Sequence, residues 1–119
     1  MSQNFQAGDF LIFQIESGYG LLRILRIDET EDGKVWHLTG YNEMFMDIDS
    51  ADATLANHAL LTVSYPHLPL TTRAFESTQV ARMKNEPLTE DELKGLRDWE
   101  STSERKVFDR SVRLLLGLR

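Results

Sequence analysis

Residues 8–27 read GDFLIFQIESGYGLLRILRI, and this stretch decides the fold class. Its first run, 9–16, is dense in Phe and Ile and is bounded by Gly8 and by Ser17-Gly18. It reads as a strand with two apolar faces: Phe10 and Ile12 on one, Leu11, Phe13 and Ile15 on the other. Such a strand belongs in the middle of a barrel or under a helix. Ser17-Gly18-Tyr19-Gly20 supplies a tight connection with two glycines. Residues 20–28 then form the returning strand, in which Leu21, Arg23, Leu25 and Ile27 alternate with Leu22, Ile24 and Arg26.

Working outward, Glu29-Thr30-Glu31-Asp32-Gly33 ends in Asp-Gly, a strong turn signal. Residues 34–41 read as a third strand, with Trp36 and Leu38 opposite Val35, His37 and Tyr41, so the N-terminal part is a meander. Residues 44–48 read as a short fourth strand and 49–58 as a loop or single helical turn. Residues 59–66 read as another strand, ended by Pro66 and Pro69. The segment 73–84 is open between helix and strand, with strand favoured for 76–82. Thr89-Glu90-Asp91-Glu92 matches a capping box, with a hydroxyl at the N-cap and a carboxylate at N3, and predicts a helix over 90–100. Ser101-Thr102-Ser103 breaks that helix. A second is expected over 104–116, with Val107, Phe108, Val112, Leu115 and Leu116 on one stripe and Gly117 as its stop. The expected fold is α+β in one domain over 1–119: a curled antiparallel sheet or partly open small barrel over about 9–82, with two C-terminal helices over about 89–117.

Composition narrows the function classes. The 119 residues hold no cysteine, which removes a disulfide scaffold, a thiolate metal site and a Cys nucleophile. No basic and apolar leader stands at residues 1–6 and no apolar run is of membrane-spanning length, so the expected location is the cytoplasm, with no membrane partner. Charge is uneven. Residues 1–41 carry six acids against three bases, 42–70 four acids and no Lys or Arg, and 71–119 nine acids against ten bases. An acidic first half argues against binding a nucleic-acid backbone. It suits a basic protein partner, steered by complementary charge. The plain alternative is that these carboxylates only keep the chain soluble.

No residue set carries a catalytic or metal signature. His37, His58 and His67 are scattered and no HExxH occurs, so they read as ordinary histidines rather than ligands. Asp47-Ile48-Asp49-Ser50-Ala51-Asp52 opens like a calcium loop. Yet Ala51, Asp52 and His58 stand where a ligand, the turn glycine and the bidentate Glu are needed, so an EF-hand is rejected. Gly18-Tyr19-Gly20 is explained by a hairpin turn. No catalytic residue, metal ligand or cofactor is expected. The aromatics suited to anchoring a partner are Tyr19, Trp36, Tyr41, Phe45 and Trp99. Core packing is the alternative for Trp36 and Trp99, while Tyr19, placed in a turn, is expected to be exposed. Met44-Phe45-Met46 beside Asp47 and Asp49 reads as an adaptable apolar spot in an acidic rim, with core again the alternative. The cations Arg105, Lys106, Arg110 and Arg113 of the last helix are expected to pair with Glu104, Asp109 or the acidic sheet.

The residues Gly8, Asp9, Phe10, Gly18, Tyr19 and Gly20, within two apolar strands, resemble the opening hairpin of an immunity-protein family of bacterial polymorphic-toxin systems. The same pattern resembles small barrels of the Src-homology-3-like type, including ribonuclease toxins of type II systems. The resemblance covers residues 8–27. It implies a protein that neutralises a toxin by binding it, without catalysis of its own.

The sequence thus favours a small interaction protein that binds a basic partner, such as a toxin, through two acidic loops at 28–34 and 43–52. The contact residues are Tyr19, Asp28, Glu29, Glu31, Asp32, Glu43, Asp47, Asp49 and Asp52, gathered on one surface. A ribonuclease-like barrel is the alternative and would draw its cations from Arg23, Arg26 or Arg73. A small-ligand module would need a deep apolar pocket near Trp36. The oligomeric state is left open.

Overall fold

Two long strands carry the architecture. In the computed structural model, which describes residues 4–117, β1 (Asp9–Ile15) turns through Glu16-Ser17 into β2 (Gly18–Thr30), and β2 turns into β3 (Gly33–Phe45). Next come α1 (Ile48–Leu55), a 3-10 turn at His58–Leu60, β4 (Val63–Thr71), α2 (Thr72–Glu76), β5 (Val80–Asn85), α3 (Lys94–Ser101) and α4 (Val112–Leu115). The five strands are antiparallel neighbours in the order β4-β3-β2-β1-β5. β4 and β5 are edges and do not pair with each other, so the sheet stays open. This is the expected α+β fold with a curled sheet and helices packed on it.

The alternation along β1 holds. Leu11, Phe13 and Ile15 enter a core with Leu22, Ile24, Trp36 and Leu38, closed by Phe75 of α2 and Val112 of α4. Phe10 and Ile12 face the other way, towards Leu21, Tyr41 and the α1 residues Ala51 and Leu55. Trp36 stacks on Phe75 at 4.1 Å between ring centroids. Both faces of the sheet are therefore covered, as a strand apolar on two sides requires. Full burial of a leucine such as Leu55 contributes about 1.5–3 kcal/mol, which fixes α1 on the sheet.

Several local expectations are corrected. Gly18 and Tyr19 already belong to β2 and not to the turn, and Gly20 lies in the strand as expected. Gly20 is required there because a Cβ would lie 2.6 Å from the Phe13 ring. Met44 and Phe45 continue β3 instead of forming a fourth strand, and Ile48 starts α1 because the Asp47 carboxylate caps it by accepting from the Ser50 N–H at 2.7 Å. Pro66 and Pro69 lie inside β4. An edge strand tolerates them because one side of its backbone has no ladder to donate to. Residues 72–76 are helix and the last strand begins at Val80.

The capping box forms, with Thr89 and Glu92 bonding each other's backbone N–H at 2.9 and 3.2 Å, but regular helix begins only at Lys94. The helix expected over 104–116 is mostly absent. Phe108 instead bridges to β4, donating its N–H to Pro69 and accepting from Thr71, and only Val112–Leu115 is helical. Val107 and Phe108 are accordingly more than a third exposed rather than part of a buried stripe.

Candidate functional site

The acidic residues singled out from the sequence fall into two groups, not one surface. Thr30 pairs with Gly33 at one end of the β2–β3 ladder and Tyr19 pairs with Phe45 at the other. At 3.2–3.4 Å per residue, with allowance for twist, the two ends lie about 35 Å apart. Asp28, Glu29, Glu31 and Asp32 are at the first end. Glu43, Asp47, Asp49 and Asp52 are at the second, with Tyr19. The expectation of a single gathered surface is overturned because both strands run on unbroken for 13 residues.

At the first end Asp28 is neutralised from within, while Glu31 and Asp32 form no ion pair among the described residues. Arg26 donates to both Asp28 oxygens, at 2.7 and 2.9 Å, and reaches Glu100 of α3 at 3.0 Å. The fully buried His37 contacts Asp28 through Nε2 at 2.9 Å and His67 Nε2 through Nδ1, also at 2.9 Å. A carboxylate accepts only, so His37 Nε2 donates to Asp28 and its Nδ1 accepts from His67. Trp99 sits edge-on to both imidazoles, with centroids at 4.9 and 5.5 Å. Gly95 lets α3 come this close, since a Cβ there would be 3.0 Å from the His67 Cβ.

Burial holds His37 below its ordinary value, and burial beside His37 lowers His67 to about 4. The hydrogen bond from Arg26, followed by that from His37, lowers the Asp28 carboxyl. At neutral pH the chain is therefore carboxylate, neutral imidazole, neutral imidazole. Glu29 reaches Lys34 at 3.9 Å, and Glu31 and Asp32 occupy the exposed turn.

The second end is different. Among the described residues no Lys, Arg or His forms an ion pair with Glu43, Asp47, Asp49 or Asp52. Glu43 accepts the Thr62 N–H at 2.7 Å, and Asp47 caps α1. The Ser50 hydrogen bonds hold the Asp47 carboxyl below the usual range. Asp49 and Asp52 are one helical step apart and exposed. Among these acids Met46 is 88% exposed, with Met44 and Ile48 also about half exposed. Tyr19 is half-buried rather than free, and it lines a shallow groove with Ile48 and Val80.

The cations of the alternative readings are committed elsewhere. Arg23 is fully buried under the Phe10 ring. It donates to the carbonyls of Gly8, Glu86 and Pro87 and pairs with Glu92. Arg26 belongs to the Asp28 network, and Arg73 pairs with Asp109. None offers a free cation to an open groove. Arg105, Lys106, Arg110 and Arg113 form no ion pair with Glu104, Asp109 or the sheet among the described residues; Arg105 instead donates to the Glu100 carbonyl at 2.7 Å. Trp36 packs in the core, and a concavity of about 410 Å3 lies against it, lined also by Phe5, Ile27, Lys34, Thr72 and Phe75.

Sequence reasoning missed the buried polar pairs. Arg23 stands between Leu21 and Leu25 in a strand otherwise built of apolar residues, and that inward position is the one signal that it needed a buried acid. Its partner lies 69 residues away. Protein-family models, curated proteins and solved structures give no match to this chain.

Proposed function

We propose that this protein acts by binding a basic protein partner through the Tyr19 and 43–52 end, without catalysis, and that its specific form is the neutralisation of a basic toxin. What supports the reading most is one juxtaposition: exposed Met44, Met46 and Ile48 lie among Glu43, Asp47, Asp49 and Asp52, with no cation paired to those acids among the described residues. Unbranched methionines repack around varied shapes, and an unneutralised rim draws in and orients a cationic surface. Asp28 and Glu29 are left out of the contact set because Arg26 meets the charge of Asp28, to which the neutral His37 also donates, and Lys34 lies 3.9 Å from Glu29. Glu31 and Asp32 are left out because their turn carries no large exposed apolar residue.

The test is a titration of the isotopically labelled protein with a (Lys-Leu)3 peptide against its (Glu-Leu)3 counterpart. The Lys peptide is expected to shift amides of residues 43–52 and Tyr19, and to lose about tenfold in affinity between about 50 and about 500 mM salt. Equal binding of the Glu peptide, or shifts centred on 28–34, would refute it. In cells, the toxin form predicts that co-expression rescues growth from a basic nuclease toxin encoded beside this chain.

A further inference from the structure

A second concavity lies on the α1-bearing side of the sheet, outside the acidic end. It holds about 290 Å3, at the lower bound of small-molecule sites, and is lined by β3, the His58–Leu60 turn, β4 and the capping-box turn. Its wall is apolar: Leu61, Val63, Pro66 and the Tyr41 ring. Its polar groups are Thr39, His58, Thr89, Asp91 and Glu92. The balance of donors and acceptors among these decides what it can hold.

Arg23 is fully buried and engaged with three carbonyls and Glu92, and Arg97 reaches Glu90 at 3.8 Å, so each of these guanidiniums already faces a carboxylate. Thr39 donates its hydroxyl proton to the Pro66 carbonyl and keeps lone pairs to offer. The Glu92 carboxylate takes Arg23 on one oxygen and Thr89 on the other, and one of its roughly four acceptor positions remains. Asp91 is exposed at the rim and has no side-chain hydrogen bond or ion pair among the described residues. His58 makes no side-chain hydrogen bond among the described residues and offers a ring N–H, but the Asp91 carboxylate alone offers about four acceptor positions, so acceptors outnumber donors and the carboxylate left without a partner is negative.

We propose that this pocket is a binding site for a small primary amine: an ammonium held by Asp91 and the spare Glu92 position, with a short aryl or alkyl body against Leu61, Val63 and Tyr41. An ammonium brings three donors to a wall that offers acceptors, and a charge-assisted hydrogen bond is about twice as strong as a neutral one. A carboxylate of the same shape meets Asp91 and Glu92 as like charges. A lysine side chain of a bound protein carries the same chemistry, so the test separates the two sources.

The experiment is a heteronuclear titration of the full chain at neutral pH with 2-phenylethylamine, 3-phenylpropionate and Nα-acetyl-lysine amide. The amine is expected to give saturable shifts at Leu61, Val63 and Asp91 with a Kd of about 1–5 mM. Phenylpropionate is expected to bind at least about tenfold more weakly, and Asp91→Asn to weaken the amine about tenfold. Val63 is half exposed, so Val63→Arg sets a cation at the rim without entering the core, and is expected to abolish amine binding in a protein with a native spectrum. Equal binding of the carboxylate, no saturation, or unchanged amine binding by Val63→Arg would overturn the proposal. Tighter binding of the lysine amide than of phenylethylamine would assign the pocket to a partner's lysine and overturn the small-molecule reading. Shifts confined to 43–52 would count against this pocket while leaving the acidic end intact.

Discussion

The two ends of the β2–β3 hairpin carry similar numbers of carboxylates and differ in what surrounds them. At the turn end, Asp28 is held by Arg26 and by a buried His37, backed by His67 and capped by Trp99 and Glu100. At the Tyr19 end, Asp49 and Asp52 face solvent on α1, beside Met46. Of the first set, Asp28 is tied into the fold, while Glu29, Glu31 and Asp32 are exposed at the turn. At the second end Asp47 caps α1 and Glu43 accepts the Thr62 N–H, while Asp49 and Asp52 make no side-chain contact of this kind among the described residues and are left available to another molecule. Acidity counted along the sequence cannot make this distinction, because the cations and histidines that answer a carboxylate come from other elements.

The largest contrast is in stability. Asp28→Ala removes the acceptor of a buried His37 N–H and the forked partner of Arg26. It is expected to cost about 2–3 kcal/mol, below the value for a fully buried pair because Asp28 is partly exposed. Asp49→Ala and Asp52→Ala are expected to leave the urea midpoint unchanged. Equal losses at both ends would erase the distinction.

The pH dependence comes next. The fold holds His37 and His67 in their neutral forms, so the stability they contribute is complete above their unfolded value of about 6.5. It is lost as pH falls through the folded values, about 4 for His67. Asp28 is lowered in the fold, so its contribution persists above about 3.9 and is lost only in stronger acid. The Tm is therefore expected to drop by roughly 5 °C between about pH 7 and about pH 4.5, and His67→Phe to flatten that slope. A flat wild-type profile across this window would remove the histidines from the account.

A smaller effect concerns the exposed methionine. Met46→Ser is expected to keep the wild-type Tm while weakening the (Lys-Leu)3 peptide by roughly threefold to tenfold. The smallest is Glu29→Gln, whose 3.9 Å contact with Lys34 is exposed, so unfolding should be indistinguishable from wild type.

Much of the fold was legible because period-two alternation reports which face a strand buries. Leu11 and Phe13 lie opposite Phe10 and Ile12 as their spacing demands, and Trp36 and Leu38 lie opposite Tyr41. The capping box was legible because it is local, with both partners three residues apart. What failed depended on distant partners. The stripe at Val107 and Phe108 lost its helix to backbone bonds with β4, nearly 40 residues upstream. Arg23 and Glu92, like His37 and His67, are joined by tertiary packing that no spacing rule encodes. The candidate site was half legible. The Met44–Met46 spot and the acids around it were readable from composition, while the separation of 28–34 from 43–52 required the length of β2 and β3.

The most direct test is a matched pair of charge reversals, Asp49→Lys with Asp52→Lys at one end and Glu29→Lys with Glu31→Lys at the other, each titrated with the same (Lys-Leu)3 peptide at low salt. Both variants carry the same net charge, so a general field effect weakens them alike. Only the 49/52 variant is expected to lose binding, by about tenfold or more, while both keep the wild-type Tm. Equal loss in the two variants, or loss confined to 29/31, would contradict it.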